Sequence, residues 1–110
     1  MVVRGEALRL VAGKPCQYEL QLEDGRRKSA LFCDRCSTRL WSRSRVAGLA
    51  VLEAGNLDDT SWIRPVGHIW TRSAQPWVRL PEGLLLYAQQ PEDMLPLVRA
   101  WKARSQSDAS

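Results

Sequence analysis

Tyr18-Glu19-Leu20-Gln21-Leu22-Glu23-Asp24-Gly25-Arg26-Arg27-Lys28-Ser29-Ala30-Leu31-Phe32-Cys33-Asp34-Arg35-Cys36 is the stretch that decides the fold class. Residues 18–23 alternate strictly between apolar and polar side chains, the period of a strand with one buried face. Asp24-Gly25 follows. Such a pair beside an alternating run is the strongest short hairpin signal, because glycine takes the positive φ that a tight turn needs. Residues 26–32 read as the return strand, which delivers Cys33 at its end. The pattern predicts an antiparallel hairpin leading into a Cys-x-x-Cys turn.

Working outward, residues 38–41 read as a short strand leaving that turn, and residues 49–54 as an apolar strand ended by Gly55. Residues 68–71 are a further strand candidate, as are 77–80 and 84–87, in a region that Pro65, Pro76 and Pro81 cut into short pieces. Towards the N-terminus, residues 7–11 form an apolar run with Leu8 and Leu10 on one face, ended by Gly13-Lys14-Pro15. One helix is expected near the C-terminus. Pro91 and Asp93 open it, with Asp93 as N-cap. Pro96 falls in the first turn, where a missing N–H costs little. Leu95, Val98 and Trp101 make its apolar stripe. Residues 105–110 read as a disordered tail. The expected architecture is a single domain over residues 1–104, mainly β in antiparallel sheets, with one C-terminal helix.

Composition sets broad limits. The chain has 110 residues, 45% of them hydrophobic, which allows one modest core, and a net charge of +4. Arg26-Arg27-Lys28 is the tight cationic run, with Arg35, Arg39, Arg43 and Arg45 scattered after it. A basic surface suits acidic partners, though a solvated face accounts for the same residues. Met1-Val2-Val3-Arg4-Gly5-Glu6 lacks the long apolar run of a signal peptide, so none is expected, and nothing reaches the ~18 consecutive apolar residues of a membrane span. The expected location is a reducing cytoplasm, where Cys-x-x-Cys means metal or redox chemistry rather than a structural disulfide.

Zinc takes four ligands in a tetrahedron. Cys33 and Cys36 supply two, and the chain otherwise holds only Cys16 and His68 as soft or imidazole donors. The sequence reads as half of a metal site; two thiols that never meet metal are the alternative. Thioredoxin-like redox work is disfavoured because the pair does not open a helix after a βαβ strand. Cys16, just before a strand, reads as a packed thiol. His68 reads as a hydrogen-bonded structural residue. Asp58-Asp59 follow a strand end, where Asp accepts backbone N–H bonds. Trp41, Trp62, Trp70 and Trp77 suit core or interface packing, and equally stacking on bases. A basic, Trp-rich β module binding nucleic acid or a protein partner is therefore the competing functional reading.

Taken together, Phe32-Cys33-x-x-Cys36-x-Thr38-x-Leu40, Gly55-Asn56-Leu57-Asp58-Asp59, Pro65-x-x-His68-Ile69-Trp70 and Trp77 resemble the glutathione-dependent formaldehyde-activating enzyme family, which includes centromere protein V. The order and intervals agree over roughly residues 7–90. Ser37 stands where the family pattern has Gly, and Asn56 where it has Thr. The resemblance implies an Mss4-like fold of antiparallel sheets and a carbon–sulfur lyase acting on S-hydroxymethylglutathione. It also implies two zinc sites. A structural zinc takes two cysteines from an N-terminal Cys-x-Cys and two from the turn matched by Cys33 and Cys36. A catalytic zinc takes three from a Cys-x-Cys-x-x-Cys segment. This chain opens after both segments and reads as truncated at the N-terminus. No residue is assigned to catalysis, and the chain alone is expected not to catalyse. Missing strands would leave the face of Leu20, Leu22, Phe32 and Leu40 open, so a homodimer is expected to cover it. A two-fold dimer could also join two Cys33/Cys36 pairs into one four-thiolate site.

Overall fold

Residues 1–23, 25–43 and 48–108 are described by a computed structural model. They form two units, Met1–Ser61 and Trp62–Ser110. The structure is mainly antiparallel β with one C-terminal helix, as the sequence pattern predicts.

The first unit is a five-stranded antiparallel sheet. Its strands are β1 (Val2–Arg4), β2 (Cys16–Gln21), β3 (Arg27–Phe32), β4 (Arg39–Arg43) and β5 (Leu49–Leu52), in the order β1-β5-β4-β3-β2. The expected hairpin is β2–β3, in register from Cys16 opposite Phe32 to Gln21 opposite Arg27. At its turn the Leu22 amide donates to the Arg26 carbonyl at 2.7 Å, and the Gly25 amide to the Leu22 carbonyl at 2.9 Å. Gly25 has φ +84°, the left-handed conformation that favours glycine. Asp24 lies outside the described residues. Between Leu31 and Phe32 the β3–β4 register slips, a bulge at the strand end that feeds the cysteine turn.

One element of this unit has no counterpart in the sequence pattern. The apolar run of residues 7–11 lies in irregular chain after a single 3-10 turn, Gly5–Ala7. Val2–Arg4, too short to show a period, is a strand because β5 pairs with it, Val3 opposite Ala50. The register runs Tyr18, Ala30, Ser42, Val51 and Val2 across one face of all five strands. Burial is thin. Leu31 (9% exposed), Ala50 (5%) and Ser42 (2%) are the buried side chains of this sheet, whereas Tyr18 and Leu20 on β2 are 57% and 45% exposed.

The second unit carries β6 (Gly67–His68), β7 (Leu85–Leu86) and α1 (Leu95–Asp108). The strand expected over residues 68–71 ends at His68. Trp70 turns left-handed at φ 59°, and a 3-10 turn, Thr71–Ser73, follows. β6 and β7 pair in parallel, not antiparallel. Residues 77–80 form no strand. In α1 the capping carboxylate acts as expected, Asp93 Oδ1 accepting from the Leu95 amide at 2.9 Å. The apolar stripe is misplaced, however. Leu95 and Val98 are exposed, while Leu97, Ala100, Trp101 and Arg104 are half-buried. Gly67 explains the choice of face, because a methyl there would lie 2.5 Å from Leu97 Cδ2 and 2.9 Å from the Leu85 carbonyl oxygen. Trp101 also meets Trp62 edge to face, centroids 6.3 Å apart. The helix runs on through residues 105–108, which composition reads as tail; residues 109–110 lie outside the described ones. No described helix is long and apolar enough to cross a membrane.

Candidate metal half-site

Strand β3 ends at Phe32 and the chain then folds into a tight turn around two sulfurs. The Cys33 amide donates to the Thr38 carbonyl at 2.8 Å, and the Ser37 amide to the Cys33 carbonyl at 3.0 Å, closing the turn. Ser37 takes φ 63°, so this serine adopts the left-handed conformation usually left to glycine. The closed turn aims donors at the sulfurs. The Arg35 amide donates to Cys33 Sγ at 3.4 Å. Cys36 Sγ lies 3.0 Å from Thr38 Oγ1.

The contact at Cys36 favours its thiolate. The Cys36 thiol is held below its ordinary value, first by the Thr38 hydroxyl, then by the Thr38 backbone and the Cys33 side chain. Bonds to the charged form lower a pKa, and thiolate is the form that ligates metal. All three cysteines are free thiols, with Cys36 exposed and Cys33 half-buried. Two soft donors on one braced turn suit one edge of a tetrahedral zinc site. Among the described residues, no three His, Cys, Asp or Glu side chains gather into a metal site.

Cys16, expected to be packed, is exposed, because β2 is an edge strand whose six residues are all exposed. The Nε2 of His68 is enclosed yet has no hydrogen-bond partner among the described residues, so the expected bond is not made at that nitrogen. Asp59 behaves as its turn predicts. Its Oδ1 accepts from the Ser61 amide at 2.9 Å and the Ser61 hydroxyl at 2.6 Å, and its carboxyl is held below the usual range by that hydroxyl first and the amide second.

Trp41 is half-buried in β4, Trp62 pairs with Trp101, and Trp70 lies under the Arg72 guanidinium, 5.1 Å from the ring centre. Sequence reasoning missed the brace behind the turn. Asn56 Nδ2 donates to the Arg39 carbonyl at 2.7 Å, and Arg39 Nε lies 3.5 Å from Glu53 Oε1. Gly55-Asn56 at a strand end was the available signal for a side chain turned back onto backbone.

The glutathione-dependent formaldehyde-activating enzyme family matches residues 1–73 of this chain. The chain belongs to that family. The matched span holds all of the five-stranded sheet, the Cys33–Cys36 turn and the Asn56 brace, and reaches into the second unit as far as Ser73. No curated protein and no solved structure gives a match.

Proposed function

We propose that the Cys33–Cys36 turn is the chain's half of a structural zinc site in a glutathione-dependent formaldehyde-activating protein. The observation that carries this is the turn itself: Cys33 and Cys36 stand free on a loop closed at both ends by backbone bonds, with an amide and a hydroxyl at the two sulfurs. Bound there, zinc would tie the ends of β3 and β4 to whatever supplies the remaining ligands. The family's carbon–sulfur lyase chemistry, with a glutathione adduct as substrate class, belongs to the protein that carries a three-cysteine catalytic segment. These 110 residues hold three cysteines in all, two of them in the turn, so this chain alone does not catalyse. The proposed setting is the cytoplasm and the proposed state a homodimer.

Cobalt(II) is the spectroscopic probe for thiolate ligation. Added to the reduced protein, it should give sulfur-to-metal absorption in the near ultraviolet that zinc displaces and that Cys36→Ser abolishes. The half-site is overturned if cobalt gives no such absorption and zinc leaves Cys33 and Cys36 fully open to alkylation. Catalysis is tested separately. A chelator-sensitive acceleration of glutathione–formaldehyde condensation by this chain would refute the statement that it is inactive alone.

A further inference from the structure

Strand β2 is an edge with few of the usual defences, its one charged side chain being Glu19. Edge strands are commonly blunted by shortness, Lys or Pro on the edge, or a bulge that twists them away. The opposite edge, β1, is protected by having three residues. β2 has six, Cys-Gln-Tyr-Glu-Leu-Gln, with no Lys, no Pro and an unbroken register against β3. All six residues are exposed.

The ladder shows which backbone groups are free. Leu22 N–H bonds the Arg26 carbonyl, which fixes the phase of the hairpin. In an antiparallel ladder, inward and outward residues alternate. Leu20, Tyr18 and Cys16 therefore turn their N–H and C=O groups towards β3. Gln17, Glu19 and Gln21 turn theirs outward, where no further strand lies among the described residues.

The side chains then select what fits. Two copies meeting edge to edge about a two-fold axis must keep each face continuous, so the axis passes through a residue. An axis at Glu19 would set that carboxylate against its own copy, and like charges directly opposite repel. An axis at Tyr18 sets Gln17 opposite Glu19 of the second copy, an amide against a carboxylate. Within one chain Gln17 Nε2 already donates to Glu19 Oε1 at 3.2 Å. On the other face the same axis sets Tyr18 against Tyr18 and Cys16 against Leu20, covering the two exposed apolar side chains of the strand. Tyr18 falls in a non-hydrogen-bonded pair, where side chains approach most closely.

We propose that β2 is the homodimer interface, paired antiparallel with β2 of a second copy about a two-fold axis at Tyr18, so that two five-stranded sheets become one continuous sheet. The pairing does not rest on the zinc half-site. It places the two Cys33–Cys36 turns at opposite ends of the joined strands, so this dimer does not build a four-thiolate site from two chains.

Sedimentation equilibrium of the full chain, with circular dichroism as the check on folding, tests it. The wild type should be a dimer. Glu19→Pro deletes an outward N–H while sparing the β2–β3 ladder, and should raise the dimer Kd at least about tenfold, the factor worth ~1.4 kcal/mol. Tyr18→Glu, an exposed change that sets two carboxylates together, should do the same and carries the test should the proline variant fail to fold. Glu19→Gln should leave the dimer intact. A wild type that is monomeric at roughly 100 µM overturns the proposal. So does a dimer that survives Tyr18→Glu, or one that Glu19→Gln tightens, since that marks an axis at Glu19.

Discussion

The side-chain amide of Asn56 donates to the Arg39 carbonyl at 2.7 Å. That bond fastens the segment after β5 to the first residue of β4, the strand that leaves the cysteine turn. The Glu53 amide repeats the link one residue on, donating to the Leu40 carbonyl at 3.0 Å. The Arg39–Glu53 ion pair beside it is nearly half exposed on both partners and adds little. Replacing Asn56 by Ala should cost about 1 kcal/mol, the net worth of one such hydrogen bond. Asn56→Asp should cost more, because it sets a carboxylate against a carbonyl oxygen. Urea unfolding midpoints of the two variants check the order.

Ser37 holds a left-handed backbone at φ 63°. For an L-residue this conformation costs about 1–2 kcal/mol, against the ~0.5–1 kcal/mol of extra chain freedom that glycine loses on folding. Ser37→Gly should therefore stabilise the protein by roughly 0.5–1 kcal/mol. Ser37→Val should destabilise it, since a β-branched side chain fits this conformation worst. Thermal midpoints of the two variants should move in opposite directions, and a lowered midpoint for Ser37→Gly would contradict the argument.

Gly67 is required by contact rather than by its backbone angle. An added methyl would meet both Leu97 Cδ2 and the Leu85 carbonyl oxygen, and the oxygen belongs to the paired strand and cannot swing away. Gly67→Ala should cost about 1–3 kcal/mol, the usual range for overpacking. Gly67→Ala combined with Leu97→Ala should leave only the carbonyl clash. A double-mutant cycle on denaturant unfolding reads how much of the cost lies in the Leu97 contact.

Asp59 has its folded-state pKa below its unfolded value, through the Ser61 hydroxyl first and the Ser61 amide second. Its stabilisation is complete above the unfolded pKa, near 4, and is lost as pH falls through the folded one. Asp59→Asn should flatten that part of the acid limb of the stability curve and leave the shape near neutrality unchanged. Carboxyl-carbon NMR titration gives the folded value directly; a value at or above that of a model peptide would refute the assignment.

The alternation of residues 18–23 and the glycine turn made the β2–β3 hairpin legible, because both signals are local. β1 was not, since three residues carry no period and become a strand only by pairing with β5. The strand expected over residues 68–71 stopped early because Trp70 turns left-handed, which nothing in its residue type foretells. The Asp93 cap marks where the helix begins, but its packed face does not follow the stripe that the spacing predicts. Leu95, Val98 and Trp101 have helical spacing, yet Leu97 is the residue that finds room, because Gly67 leaves space for it. At the site, the cysteine spacing was readable. The Thr38 contact to Cys36 and the Asn56 brace depend on how distant segments meet, and were not.

The parallel pair β6–β7 spans two residues on each strand, too few to hold by itself. It leans on the helix, through Leu97 at Gly67 and through Arg104, whose Nη1 donates to the Pro65 carbonyl at 2.9 Å. Loss of the helix thus removes what keeps the pair together, so the two should open as one cooperative unit. The amides of Leu85 and Tyr87, which bond the Val66 and His68 carbonyls, should then exchange with solvent hydrogen at the pace of the middle of α1 and not at that of the five-stranded sheet.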